Sequence, residues 1–133
     1  MKGEAGGIGA VGFGRGMDPG SSVWYMENLF GILADSGETG GQFALIETLS
    51  RKGMEPPRHF HRKEDEAWYV LEGEITFYIG DEIYVATPGT FIFAPRGIPH
   101  SFVLETDVIR MLILLAPGVP KNTFGTPGSA GQP

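Results

Sequence analysis

The chain has 133 residues, enough to bury most of one hydrophobic core and too few for two, so a single domain with one functional site is expected. Its formal net charge is −6 and its Lys and Arg residues are scattered, which excludes a nucleic-acid partner: nothing here would release counterions from a phosphate backbone. The absence of cysteine excludes disulfides and thiolate chemistry and suits a reducing, cytoplasmic compartment, and no apolar run approaches the roughly 18 to 20 residues of a membrane span.

Residues 1–22 are glycine-rich with little apolar periodicity, and the expectation there is a flexible arm on an unprocessed chain. GIGAVGFGRG contains GFGRG, but a dinucleotide fingerprint needs a strand before it, a helix after it and a later acidic residue, and neither element is visible. From Trp24, WYMENLFGILA is apolar enough to need covering and is a candidate for pairing across a dimer.

Strand-like segments then follow in series: QFALIETLS from Gln42, AWYVLEG and EITFYIG meeting at Gly73, EIYVATPG, TFIFAP, HSFVLE and VIRMLILLA. They recur with Gly or Pro between them, the pattern of an all-β sandwich or barrel, here over residues 23–117. Ile79-Gly80-Asp81-Glu82 and Thr87-Pro88-Gly89 read as turns, because Gly supplies positive φ and Pro presets the bend. In the last strand Ile109, Met111, Ile113 and Leu115 form the apolar alternate set, which puts Arg110 on the solvent side. Residues 118–133 are rich in Gly, Pro and polar residues and are expected to fray.

Two of the three histidines, His59 and His61, are two residues apart, so on an extended strand both point to the same face. A carboxylate to complete a metal site must come from Glu64, Asp65 and Glu66. Strand parity alone does not choose: Glu66 inward takes Trp68 and Val70 with it, Asp65 inward takes Ala67, Tyr69 and Leu71, and both sets are apolar. The third histidine, His100, follows the turn Pro95-Arg96-Gly97-Ile98-Pro99 and shares a side with Phe102 and Leu104. Imidazole and carboxylate together suit first-row divalent ions: Fe, Mn, Ni, Co, Cu or Zn.

These segments resemble the cupin superfamily. Its first motif, G-x5-H-x-H-x4-E-x6-G, fits as Gly53, His59, His61, Glu66 and Gly73, and its second, G-x5-P-x-G-x2-H-x3-N, fits as Gly89, Pro95, Gly97 and His100, with Leu104 in place of the closing Asn. The resemblance implies a cupin double-stranded β-helix, or jelly-roll barrel, with a divalent metal ion inside. It selects Glu66 over Asp65 and implies His59, His61, Glu66 and His100 as the metal ligands.

The single-domain layout is most similar to quercetin-dioxygenase-like small cupins, which implies a dioxygenase acting on a small enediol, hydroxy-ketone or flavonol-like substrate, and a homodimer. Glu66 is then a candidate catalytic base as well as a ligand. By parity with Glu66 and His100, Trp68 and Phe102 are candidate walls of the substrate pocket, while Phe91 and Phe93 lie on a flanking strand. Two other readings use the same four ligands: a non-oxidative isomerase or lyase, and a small-molecule-binding cupin without catalysis.

Overall fold

The computed structural model describes residues 10–18, 23–25 and 28–118; the expectations for the rest of the arm and for the tail beyond residue 118 lie outside these. The described residues contain nine strands and no helix: β1 Val23–Tyr25, β2 Asn28–Ala34, β3 Ala44–Arg51, β4 Asp65–Glu72, β5 Ile75–Ile79, β6 Glu82–Ala86, β7 Phe91–Ala94, β8 His100–Leu104 and β9 Val108–Ala116. All pairings are antiparallel, in a larger sheet of order β1-β2-β3-β9-β4-β7 and a smaller one of order β6-β5-β8. This is a jelly-roll architecture, as the sequence resemblance implied.

Alternation decides which side of each strand meets the core. On β3, Ala44, Ile46, Thr48 and Ser50 are buried while the residues between them are not. On β9, Ile109, Met111 and Leu115 are buried, and Arg110 lies on the other face, where its guanidinium donates to Glu47 Oε2 at 2.9 Å. On β4, Glu66, Trp68 and Val70 turn inward and Tyr69 outward, so the parity left open by the sequence resolves to the Glu66 set. The smaller sheet contributes Ile75, Phe77, Ile79 and Leu104 to the same core. Full burial of a side chain such as Phe77 contributes about 2–3 kcal/mol. Leu104, at the position where the second motif has Asn, is one of these core residues, and its N–H donates to Glu55 Oε2 at 2.9 Å.

Gly73 turns the chain from β4 into β5 with φ of 90°, and a Cβ placed there would sit 2.6 Å from the Val108 carbonyl oxygen. Only glycine fits both demands. The two-residue turn Gly80-Asp81 closes the β5–β6 hairpin with Ile79 opposite Glu82.

The apolar segment after Trp24 pairs within its own chain. β2 lies against β3, and Phe30 and Ile32 pack on Ala44, Ile46 and Leu115. Residues 10–18 carry no strand or helix, but Arg15 makes a two-pronged ion pair with Glu38 at 2.7 and 2.8 Å and donates to the Leu33 carbonyl. Phe91 and Phe93 face outward from edge strand β7, whereas Trp68 is buried.

Candidate metal centre

Two segments distant in sequence meet here through their backbones. His59 and His100 form an isolated antiparallel bridge, with N–H to O distances of 3.0 Å from His59 and 2.8 Å from His100, and the Gly97 N–H donates to the His61 carbonyl at 2.7 Å. The Pro95 to Pro99 turn thereby delivers His100 beside the two earlier histidines, limiting the freedom of the approach. β4 presents Glu66 from the neighbouring sheet.

One ligand atom from each of His59, His61, Glu66 and His100 lies within 4.8 Å of the other three. Glu66 Oε1 stands 3.0 Å from His61 Nε2 and 3.1 Å from His100 Nε2. Behind the rings, His59 Nδ1 is 2.8 Å from the Pro57 carbonyl and His100 Nδ1 is 3.3 Å from that of Ile98. A carbonyl can only accept, so each Nδ1 carries the proton, and in a neutral imidazole the Nε2 lone pair then faces the other ligands. Lone pairs and a carboxylate converging on one point repel unless a cation lies among them. These four residues could therefore hold a metal ion, and the donor set of three imidazoles and one carboxylate suits a first-row divalent one.

Without a cation, protons on the imidazole Nε2 atoms take its place: burial pushes the Glu66 carboxyl up, but hydrogen bonds from His100 and His61, made when those atoms carry protons, outweigh it and hold the group down at about 2. Burial lowers His59, favouring the neutral form that can ligate. Burial acts the same way on His61, yet the hydrogen bond and charge of Glu66 leave it raised. Of the other two acids in the run, Glu64 Oε1 is 3.6 Å from His61 Nδ1, on the far side of that ring from Glu66. Asp65 faces away and accepts from the Arg96 backbone and guanidinium at 2.8 and 3.2 Å.

His59, His61 and Glu66 border a cavity of about 100 Å³ whose lining also includes Trp68, Phe102, Ile46, Met111 and Ile113. The Trp68 ring centroid is 5.2 Å from that of His100 and 6.4 Å from that of Phe102, so both predicted aromatic residues reach this cavity. Trp68 Nε1 is buried with no acceptor among the described residues.

Three features escaped the sequence reading. Glu64 sits three residues after His61, a spacing that a reader could weigh. Asn28 receives the Arg51 N–H and donates to the Met54 carbonyl, tying β2 to the loop that leads into His59, which no local pattern announces. Thr48 and Ser50 share inward parity with Ala44 and Ile46, a signal that was present in the alternation of β3.

The fold is an all-antiparallel jelly roll with three histidines and a glutamate gathered where they could hold a metal ion. The chain belongs to the cupin family, whose cupin domain matches residues 45–116. Quercetin 2,3-dioxygenase of Bacillus subtilis (strain 168) is 30% identical over 102 residues, which cover 77% of this chain and 30% of that protein. The chain thus spans under a third of that relative's length. Among solved structures, ectoine synthase from P. lautus superposes with a TM-score of 0.71 at 21% identity, covering 86% of this chain and 80% of that one. An RmlC-like cupin from Shewanella frigidimarina gives 0.64 at 21% identity, covering 80% and 89%. These two likenesses concern the fold. Among the described residues, no helix is long and apolar enough to cross a membrane.

Proposed function

We propose that the protein is a metal-dependent dioxygenase acting on a small enediol or hydroxy-ketone, with flavonol-like molecules as the larger members of that class. The observation that carries this reading is the set of four ligand atoms within 4.8 Å of one another, three of them from residues that line an aromatic-walled cavity. The likeness to quercetin 2,3-dioxygenase supports it.

His59, His61, Glu66 and His100 would hold a divalent ion, which would supply Lewis acidity at this end of the cavity. The chain's own residues do the rest. Trp68 and Phe102 offer flat apolar faces to a planar substrate and keep water from its body. Glu66 is assigned a second role as proton acceptor. Both imidazole bonds fall on Oε1, which leaves Oε2 without a side-chain partner among the described residues. A carboxylate with one open oxygen beside the cavity can accept the proton of an enol or enediol hydroxyl brought against it. The cavity of about 100 Å³ favours the smaller members of the substrate class.

The test is oxygen uptake by metal-loaded protein with a panel of enediols, hydroxy-ketones and flavonols. Uptake in step with substrate loss is expected. Turnover that persists under anaerobic conditions would replace this reading with an isomerase or lyase, and binding without turnover would leave a non-catalytic cupin.

We further assign a cytoplasmic address, consistent with the lack of cysteine, and a homodimer. The dimer is supported by the exposed Ile83 and Val85 of β6 and Phe91 and Phe93 of β7, apolar side chains on edge strands of the two sheets. Size-exclusion mass measurement is expected to give twice the chain mass, and a monomer at working concentration would refute the assignment.

A further inference from the structure

The cavity that His59, His61 and Glu66 border has further polar features. Thr48 and Ser50, successive inward residues of β3, place their hydroxyl oxygens 3.1 Å apart, and both side chains line that cavity. Thr48 is 1% exposed and Ser50 is 6% exposed. Asn28 lines the same cavity, but its amide is engaged by the Met54 carbonyl and the Arg51 N–H; burying two further hydroxyls costs free energy unless their hydrogen bonds are made. Here they are made in part. Two hydroxyls carry two protons; one serves the bond between them, and the other has no acceptor among the described residues. The pair can therefore donate to a carbonyl or accept from a hydroxyl brought into the cavity.

Its position relative to the ligands follows from register. Glu66 on β4 pairs with Leu115 of β9, which pairs with Ala44 of β3. Thr48 lies two inward positions along β3 from Ala44, opposite Met111, and Ile46, Ile113 and Trp68 fill the wall between. The hydroxyl pair and the ligands thus sit at separate ends of one apolar passage. The lining contains no Lys or Arg. Nearby cations are turned elsewhere: Arg110 pairs with Glu47, Arg96 with Asp65, and Arg51 is exposed. An anionic group at the hydroxyl end would be desolvated with no counter-charge, which is strongly unfavourable.

We infer that the Thr48–Ser50 hydroxyl pair is a second recognition point for the substrate, which has oxygen donors at the ligand end, an apolar body, and an uncharged hydroxyl or carbonyl at the far end. This rests on the proposed role of the four ligands in holding the substrate's head, and it adds the identity of the other end.

Three hydroxypyranones that share one chelating head test it. Kojic acid bears a hydroxymethyl group at the far side of the ring, allomaltol a methyl there, and comenic acid a carboxylate. Their affinities for the Mn²⁺-loaded full chain are measured by calorimetry without oxygen, with metal content checked before and after. Kojic acid is expected to bind about five- to tenfold more tightly than allomaltol, the worth of one hydrogen bond, and comenic acid at least about tenfold more weakly than kojic acid. In the T48V/S50A double variant the preference for kojic acid over allomaltol disappears while allomaltol affinity is unchanged, which also reports that the fold survives. Should the double variant fail to fold, S50A alone is expected to reduce the preference.

Equal binding of kojic acid and allomaltol by the unaltered protein would overturn the inference. So would a preference that survives both substitutions, comenic acid binding as tightly as kojic acid, or no binding of any of the three. Because these measurements exclude oxygen, they are independent of turnover: absent oxygen uptake removes the dioxygenase reading alone, and absent discrimination removes this one alone.

Discussion

His59 and His100 exchange two backbone hydrogen bonds, at 3.0 and 2.8 Å, although they come from opposite ends of the two histidine-bearing segments. The consequence is a site assembled by the fold itself. Its ligands are brought together by an antiparallel bridge and by the Gly97 bond to His61, so binding a cation need not order the chain. Metal removal is accordingly expected to lower the thermal midpoint while leaving the β-sheet circular dichroism intact. Loss of the sheet signal on chelation would contradict this.

The neighbouring acids Asp65 and Glu66 are expected to behave as opposites. D65A removes an outward pairing with Arg96, half-exposed and screened, and should retain full metal content with a thermal midpoint changed by no more than about 3 °C. Replacing Glu64, whose carboxylate stands behind the His61 ring, acts at one remove: E64Q should weaken metal affinity about tenfold with the fold unchanged. Competition titration with a chromophoric chelator reads both. Metal loss in D65A would mean that the wrong carboxylate has been assigned.

For the metal-free protein, pH dependence follows from the shifted groups. Glu66 is lowered from 4.5 to about 2, so its stabilising contribution is complete above 4.5 and lost as pH falls toward 2, on the order of 3 kcal/mol. His61 is raised, so its contribution is complete below 6.5 and is lost as pH rises through its folded value. His59 is lowered and works in the opposite sense, its contribution present above 6.5 and lost on acidification. The two histidines act in opposite senses, and the limb between pH 2 and 4.5 belongs to Glu66. Urea unfolding from pH 2 to 5 should show that limb flatten in E66Q; an unchanged slope would assign it elsewhere.

Gly73 offers a test of the fold. G73A forces a side chain onto a φ of 90° and drives its Cβ to 2.6 Å from the Val108 carbonyl oxygen and 2.7 Å from Thr106 Oγ1. Denaturant unfolding should register a loss of about 2–4 kcal/mol. Near-neutral behaviour would mean that the β4–β5 turn relaxes without strain.

Much of this architecture was legible because strand alternation is a local signal. The seven strands from Ala44 onward, the turns at Gly80 and Gly89 and the outward Arg110 all follow from period-2 patterning and turn chemistry. At Asp65 and Glu66 alternation failed, since both parities give apolar sets; the motif resemblance pointed to Glu66, and the tertiary partners, Arg96 outside and the imidazoles inside, separate the two. The pairing of β2 with β3 was hidden for a related reason: an apolar segment reveals that it needs a cover and not whether the cover lies in the same chain. Arg15 reaching Glu38, and Asn28 holding the loop ahead of His59, are likewise long-range contacts without a local signature.

The central claim is that His59, His61, Glu66 and His100 together hold one divalent ion. Elemental analysis of protein purified without chelators, beside H61A prepared identically, tests it most directly. About one equivalent of a first-row metal is expected in the unaltered chain and little in the variant. A full equivalent retained by folded H61A, or no divalent metal taken up by the unaltered chain even when supplied, would contradict the account.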